Sequence, residues 1–350
     1  MTSMENTDYK FHNLFNDSYS SYAKRMMRFL SENSRISIMQ LSKELHLSNK
    51  TAKLKLKRLE EAFNIKYTLE LDFHRLGLPT PFISVLDFKK KPDYEYLTQL
   101  LLKSHIPQFA FSVKDKNRVY VCCAPASLND FAYWGTTMAT LFAKDGLECH
   151  SSQITHNKLG FIPVRRKLLE KLDIDVQTRT LLAVINDDSR IPIQKLSESL
   201  GASTKKIGYM LDRLIKNGVI RRFTIVASSP KNTIQVAMRL NISPKENIET
   251  VAPAIRKIWK SDEEWPISNR YPLISSLIGE WSTFILGTYD NYAAAKTRSI
   301  DLLRRTYGAH LEYINIDIVD KILMGRLPIR SIEPSTNYTT LNWNPDTERM

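Results

Sequence analysis

Cysteine is scarce: Cys122, Cys123 and Cys149 are the three in 350 residues. Their odd number and their spacing exclude a disulfide framework and fit a reducing compartment. No apolar run reaches the roughly 18 residues that a membrane helix needs. Residues 1–20 are polar and lack the apolar core of a secretory signal, so a cytoplasmic location is expected. With 11 Gly and 15 Pro the chain is neither collagen-like nor of low complexity, and 43% hydrophobic with 25% charged residues is the composition of a folded protein. Acidic residues are in deficit: 37 Asp+Glu against 50 Lys+Arg leave a net charge of +13, which makes a polyanion the natural partner. Catalytic signatures are also missing. There is no Gly-rich phosphate loop after a strand and no nucleophile elbow. The seven histidines are scattered singly, and Cys122 and Cys123, adjacent on a strand, point to opposite faces. Neither enzymatic activity, catalytic residues, a cofactor nor a metal site is expected.

What the chain does have is a repeat. Residues 34–71 align without gaps on residues 189–226, with 13 of 38 positions identical, among them Ser34, Arg35, Ile36, Leu41, Ser42, Leu45, Ser48, Lys50, Leu56, Arg58 and Leu59. A shorter echo, Leu159-Gly-Phe-Ile-Pro-Val-Arg165 against Met324-Gly-Arg-Leu-Pro-Ile-Arg330, closes each copy. The reading is a polar tail over 1–20, one copy over 21–165, a basic junction over 166–175, a second copy over 176–330 and a polar tail over 331–350.

The first part of each copy reads as three helices and a short strand pair. Apolar stripes at helical spacing cover 22–32 and 177–187, and Ile38, Leu41, Leu45 or Ile193, Leu196, Leu200 line the second helix. His46 or Gly201 ends that helix, and Ser48 or Ser203 caps the third, whose inner face is Ala52, Leu56, Leu59 or Ile207, Leu211, Leu214. A turn then leads to strands over 65–71 and 219–227. This is a winged helix-turn-helix, expected over 21–75 and again over 176–228. The second part, over 76–165 and 229–330, alternates periods of two and 3.6. Strands are predicted at 81–88, 109–113, 118–123 and 147–155 with helices at 93–103 and 126–143. In the second copy the strands fall at 233–242, 273–278, 282–287 and 310–319, the helices at 248–259 and 292–306. The order βαββαβ predicts an antiparallel sheet with both helices on one face and an apolar opposite face that needs a partner. The fold class is thus α+β, two tandem copies of a winged helix-turn-helix followed by a ferredoxin-like module.

Charge sits where a DNA-binding surface requires it. Residues 21–75 hold 12 Lys+Arg against 6 Asp+Glu, and residues 174–228 hold 9 against 5. The third helix begins with bases rather than the acids a helix dipole favours. Candidate DNA contacts are Ser48, Asn49, Lys50, Lys53, Lys57 and Arg58 in the first copy, and Ser203, Thr204, Lys205, Lys206, Tyr209 and Arg213 in the second, with Arg221 and Arg222 as wing bases. A solvated charged helix is the plain alternative. Gly208 in mid-helix admits two explanations, close approach of DNA or a tight helix crossing inside the domain. Trp259, Trp265, Tyr271 and Trp281 crowd into the second copy and suit a core or a small-molecule pocket.

These motifs, above all Asn186-Asp-Asp-Ser-Arg-Ile, Leu200-Gly-Ala-Ser203 and Asn217-Gly-Val-Ile-Arg-Arg222, resemble the leucine-responsive regulator (Lrp/AsnC) family in an archaeal-type tandem form. The resemblance implies a winged helix-turn-helix joined to a βαββαβ RAM module and a sequence-specific transcriptional regulator. It also implies an effector pocket between paired RAM modules, for a small molecule such as an amino acid, with Gly279, Glu280 and Trp281 matching the family's glycine–acid–aromatic step. Lys116-Asn117-Arg118 stand there in the first copy. Because one chain carries both partners, an intramolecular pseudo-dimer is expected, open to further homo-oligomerisation. Siroheme decarboxylases share the architecture, and Glu264-Trp265-Pro266 resembles one of their motifs; a protein-binding adaptor is the third alternative.

Overall fold

Residues 17–227, 234–242, 273–289, 291–293, 295–297, 304, 308 and 311–326 are described by a computed structural model. The chain starts with α1 (Asp17–Glu32), α2 (Ile38–Glu44), α3 (Asn49–Phe63) and β1 (Lys66–Leu71). β2 (Phe82–Phe88), α4 (Tyr94–Lys103), β3 (Pro107–Val113), β4 (Arg118–Cys123), α5 (Leu128–Leu141) and β5 (Leu147–Leu159) follow. A short helix α6 (Arg166–Leu169) leads into the second copy: α7 (Val176–Asp187), α8 (Ile193–Leu200), α9 (Thr204–Lys216), β6 (Ile220–Val226), β7 (Ile234–Ile242), β8 (Leu273–Ile278), β9 (Thr283–Tyr289) and β10 (Leu311–Met324). The helices expected over 248–259 and 292–306 fall wholly or largely outside the described residues, as do Trp259, Trp265, Tyr271 and Glu264.

Local chemistry sets the helix boundaries. Ser48 Oγ accepts from Thr51 N at 3.1 Å, and Ser203 Oγ accepts from Lys206 N at 3.2 Å. Each cap satisfies one of the N–H groups that a helix start leaves open. Gly201 ends α8 in the left-handed region (φ 58°), and His46, at the matching position, takes φ 54° without being glycine. That geometry costs a non-glycine residue on the order of 1 kcal/mol.

The expected wings are not hairpins. Among the described residues each copy supplies a single strand here, and β1 pairs antiparallel with β6, Thr68 opposite Thr224. The strands are also partly exchanged: β1 packs on α7 of the second copy and β6 on α1 of the first, while Ile220 and Phe223 of β6 stay in the second copy's core. Ile225 joins the core of Met26, Leu30, Leu41, Leu45 and Leu56, while Leu69 and Leu71 join that of Leu181, Ile185, Leu196, Ile207 and Leu211. Hydrogen bonds repeat the exchange. Thr68 Oγ1 donates to the Asn186 carbonyl at 2.9 Å, and Thr224 Oγ1 to the Ser31 carbonyl at 2.8 Å.

The repeat identities at 34–36 lie where the two copies meet. Ser34 and Ser189 hydroxyls bond each other at 2.6 Å. Arg35 donates to the carbonyls of Ser189 (2.9 Å) and Ile191 (3.3 Å), and Arg190 to those of Ser34 (2.6 Å) and Ile36 (2.9 Å). Each guanidinium lies over an aromatic ring of the exchanged ribbon, Arg35 over Phe223 and Arg190 over Tyr67. A pseudo-twofold axis therefore passes through this seam.

The two RAM-like modules have strand orders β3-β4-β2-β5 and β8-β9-β7-β10, and their edges join into one closed eight-stranded barrel. Ile154 opposite Leu277 at the β5–β8 seam is matched by Val319 opposite Val113 at the β10–β3 seam. β5 and β10 both run past the predicted 147–155 and 310–319, and the extra length is what reaches the other module. Closure removes the sheet edges, which would otherwise template aggregation. The apolar faces turn inward, where Ile83, Val85, Phe109, Phe111, Tyr120, Cys122, Ala237, Phe284 and Leu286 form one core. On the outside, α4 and α5 cover the first module through Leu97, Leu101, Trp134 and Met138.

Candidate functional site

Two places collect the residues that carry chemistry: the starts of α3 and α9, and the polar part of the barrel interior. On α3, Lys50, Lys53, Lys57 and Arg58 are exposed; on α9, Thr204, Lys205, Lys206, Tyr209 and Arg213 are exposed. Lys57 lies 3.9 Å from Glu61, with both side chains more than 60% exposed, an arrangement that constrains neither much. Ser48 and Ser203 serve as caps, and Asn49 accepts from Ser42 Oγ at 2.5 Å, so these polar groups are committed to holding the helices.

Gly208 resolves one of the two explanations for it. A Cβ built there meets nothing within 4 Å among the described residues, so no helix crossing among them requires glycine. Leu54 was missed by sequence reasoning. It matches Tyr209 in the repeat and, like it, is an exposed apolar residue, 50% against 67%. The repeat alignment carried that signal.

Arg221 and Arg222 stand in ion pairs with the strand they exchange against. Arg221 Nη2 is 2.5 Å from Asp72 Oδ2, and Arg222 Nε is bonded to Glu70 Oε2. Burial raises the Asp72 carboxyl, but bonds from the Arg75 backbone and from Arg221 outweigh it and hold Asp72 below the usual carboxylate range. Arg165, just before the basic junction, and Lys167 within it are likewise occupied. Arg165 donates to the carbonyls of Leu101, Leu102, Ser104 and Pro107, and Lys167 to Leu102, at the C-terminal end of α4, where a cation complements the helix dipole.

In the barrel, the turn between the second and third strands of each module meets the fourth strand of the other, and the two turns have diverged. At one seam Asp317, whose side chain is fully buried, is held by Lys116, by Arg118 at 3.0 Å and by Tyr120 Oη at 2.6 Å. Arg118 also grips Asp87 with two bonds, at 2.5 and 3.0 Å. Burial pushes the Asp317 carboxyl up; the bonds from Lys116 and Tyr120 and the charge of Arg118 outweigh that and keep it below its ordinary value. Burial and the neighbouring Asp317 push the Tyr120 phenol well up.

At the other seam lie Gly279, Glu280 and Trp281. Gly279 has φ 141°, and a Cβ there would come within 2.7 Å of Ser152 Oγ, so glycine is required by the close approach of β5. Glu280 pairs with His150 Nδ1 at 2.6 Å, and Trp281 is buried. The structure brings this step to the boundary between modules, while Lys116 and Arg118 at the matching turn are spent on Asp317.

Three similarities bear on these sites. Residues 174–221 match the winged helix-turn-helix DNA-binding family. An uncharacterized HTH-type transcriptional regulator of Pyrococcus furiosus is 28% identical over 89 residues, which are 25% of this chain and 57% of that protein, so the chain spans little over half of that relative's length. The structure of the siroheme decarboxylase NirDL superposes with a TM-score of 0.59 at 10% identity, covering 88% of this chain and 94% of that one. The same enzyme with an iron-uroporphyrin III analogue gives 0.56 at 9% identity, covering 88% and 93%. The expectation that the chain is not an enzyme is overturned here: its architecture, over nearly its whole length, is also that of an enzyme, and the missing catalytic motifs do not separate the two classes. No helix among the described residues is long and apolar enough to cross a membrane. The chain has a winged helix-turn-helix plus curled-sheet fold, common to DNA-binding regulators and to an enzyme.

Proposed function

We propose that the chain binds double-stranded DNA sequence-specifically, as a transcriptional regulator of Lrp/AsnC type, through α3 and α9. The observation that carries this reading is the pair of exposed, base-led helices mounted on one exchanged ribbon. Lys50, Lys53 and Lys57 on one helix and Lys205, Lys206 and Arg213 on the other face solvent, while the bases that could have been mere surface charge at the wing and the junction are tied to acids and carbonyls. Phosphate neutralisation by such lysines gives affinity, and Tyr209 and Leu54 supply apolar contact to base edges. Because the two helices differ in sequence, the preferred site is asymmetric. Selection from random duplexes at several salt concentrations tests this; an absence of any salt-dependent binding defeats it.

A second reading is favoured by the extent of the NirDL likeness, which spans both copies and not only the helix-turn-helix units. In that reading the chain decarboxylates an acidic tetrapyrrole, and Arg239, whose Nε–H has no partner among the described residues, supplies a cation for its carboxylates. Fully buried Phe109, Phe111, Tyr120 and Phe284 fill the barrel interior, so a macrocycle would have to displace them or bind elsewhere. Incubation with siroheme, followed by its absorption and by mass analysis of the product, decides it: a mass loss of one carboxyl group as carbon dioxide supports the enzyme, and unchanged siroheme without a spectral shift removes it.

A further inference from the structure

Among the described residues, Arg239 is an interior cation with unused hydrogen-bonding capacity. Its side chain is 6% exposed and lies 4.5 Å from the Trp281 ring centre and 5.4 Å from that of Tyr120. Nη2 stands 3.7 Å from Asp317 Oδ2, an oxygen already engaged by Arg118 and Tyr120. Its Nε–H has no hydrogen-bond partner among the described residues. Directly across the β7–β10 ladder is Asn315, so the two side chains share a face of the sheet. Asn315 Nδ2 donates to Tyr313 Oη at 3.1 Å, and its Oδ1 is buried and likewise lacks a partner. A donor and an acceptor are thus left open side by side. The next pair outward, Asn241 opposite Tyr313, reaches solvent, with Tyr313 47% exposed.

Charge defines what fits. Lys116, Arg118 and Arg239 face Asp87 and Asp317; Lys116 and Asp87 reach solvent, and the buried members, Arg118, Arg239 and Asp317, leave one positive charge in excess. A buried guanidinium without full compensation is costly, and a carboxylate on Nε removes that cost. Asn315 Oδ1 then asks the same ligand for a hydrogen-bond donor. An ammonium would add a further positive charge to a cluster that already has too many, whereas a hydroxyl donates without charge. We infer that Arg239 and Asn315 form a binding site for a small hydroxycarboxylate, with its carboxylate on Arg239 between Trp281 and Tyr120 and its hydroxyl donating to Asn315. The site stands independently of DNA binding, and its pseudo-symmetric counterpart pairs Val85 with His150 and has no arginine.

The full chain should be titrated with glycolate, lactate and 3-hydroxybutyrate, and with acetate and glycine, following heat release and the rise in Tm. Saturable binding of at least one hydroxy acid, about tenfold tighter than acetate or glycine, is expected from the one added hydrogen bond. Arg239→Met should weaken it by about 100-fold, the loss of a charge-assisted pair. Asn315→Asp, which opens no cavity, should place its own carboxylate against Arg239 and abolish binding even if the methionine variant fails to fold. No saturable binding of any of the three hydroxy acids at millimolar concentration, equal binding of acetate, or unchanged binding by Asn315→Asp overturns the inference.

Discussion

Replacing Lys50, Lys53 and Lys57 together by Ala tests whether α3 touches DNA. All three are exposed and outside the hydrophobic cores, and the contact of Lys57 with Glu61 is long and solvent-screened, so the fold should be preserved. If each neutralises one phosphate, the slope of log K against log salt falls by about 2.7, from roughly 0.9 per contact. Over a fourfold change in salt that is about a 40-fold difference in how much affinity is lost. Fluorescence anisotropy with a selected duplex at four salt concentrations reads the slope directly. The control is Arg221→Ala with Arg222→Ala: both side chains are held by Asp72 and Glu70, so the slope should hardly change although stability falls. An unchanged slope in the folded lysine variant, or a larger drop in the arginine control, would refute the assignment of the interface to the helix and return it to the ribbon.

Gly208→Ala should raise stability to urea by about 1 kcal/mol, since a methyl meets nothing there; if DNA approaches that backbone, the same variant should bind DNA more weakly. Arg190→Met strips two hydrogen bonds from the carbonyls of Ser34 and Ile36 and should cost about 3 kcal/mol, read from the urea midpoint. Asp317 has its pKa lowered in the folded chain, so its contribution is complete above the unfolded carboxylate pKa and is lost as pH falls through the folded value. Asp317→Asn should therefore be less stable than the parent at neutral pH, and the gap should narrow in acid; a constant gap by thermal melts from neutral to acid pH would count against the network. Cleavage near Lys171 should give halves that associate on mixing, because each lacks the strand that completes its helical unit; two monomeric, cooperatively folding halves would contradict the strand exchange.

The helices and most strands were legible because each writes its own period into the sequence. Ser48, Ser203 and Gly201 mark their boundaries for chemical reasons that act over a few residues. Pairing partners were not legible in this way. The pattern of β1 states that it has an inner and an outer face, and it is satisfied equally by a hairpin or by β6 of the other copy. Hence Arg221 and Arg222 read as wing bases, although Glu70 and Asp72 lie opposite. The identities Ser34, Arg35 and Ile36 were visible in the alignment, but a repeat that pairs with itself looks the same in sequence as a repeat that binds two like ligands. Asp317 and Arg239 gave no sequence signal, because the groups that meet them, Lys116, Arg118, Tyr120 and Trp281, lie on β4 and in two turns far from them in sequence.

Duplication followed by closure explains where function can reside. A symmetric barrel would present the same turn at both seams, and whatever one turn bound the other would bind too. Here one turn carries Lys116 and Arg118, and the fourth strand facing it carries Asp317; the other carries Gly279 and Glu280, faced by Ser152 and His150. The first seam is an ion-pair lock, and a buried lock of this kind fixes register more than it adds stability. The second seam has a close backbone approach and a half-exposed His150–Glu280 pair, which holds less firmly. Arg239 lies between them, stacked on Trp281 from one turn and on Tyr120 beside the other. A ligand that neutralises Arg239 would thus act on both turns at once, and each turn braces a seam between the two copies. Whether that influence reaches α3 and α9 depends on the exchanged ribbon, which joins the helical units to each other; DNA affinity measured with and without a bound hydroxycarboxylate would express the coupling as a ratio of two dissociation constants.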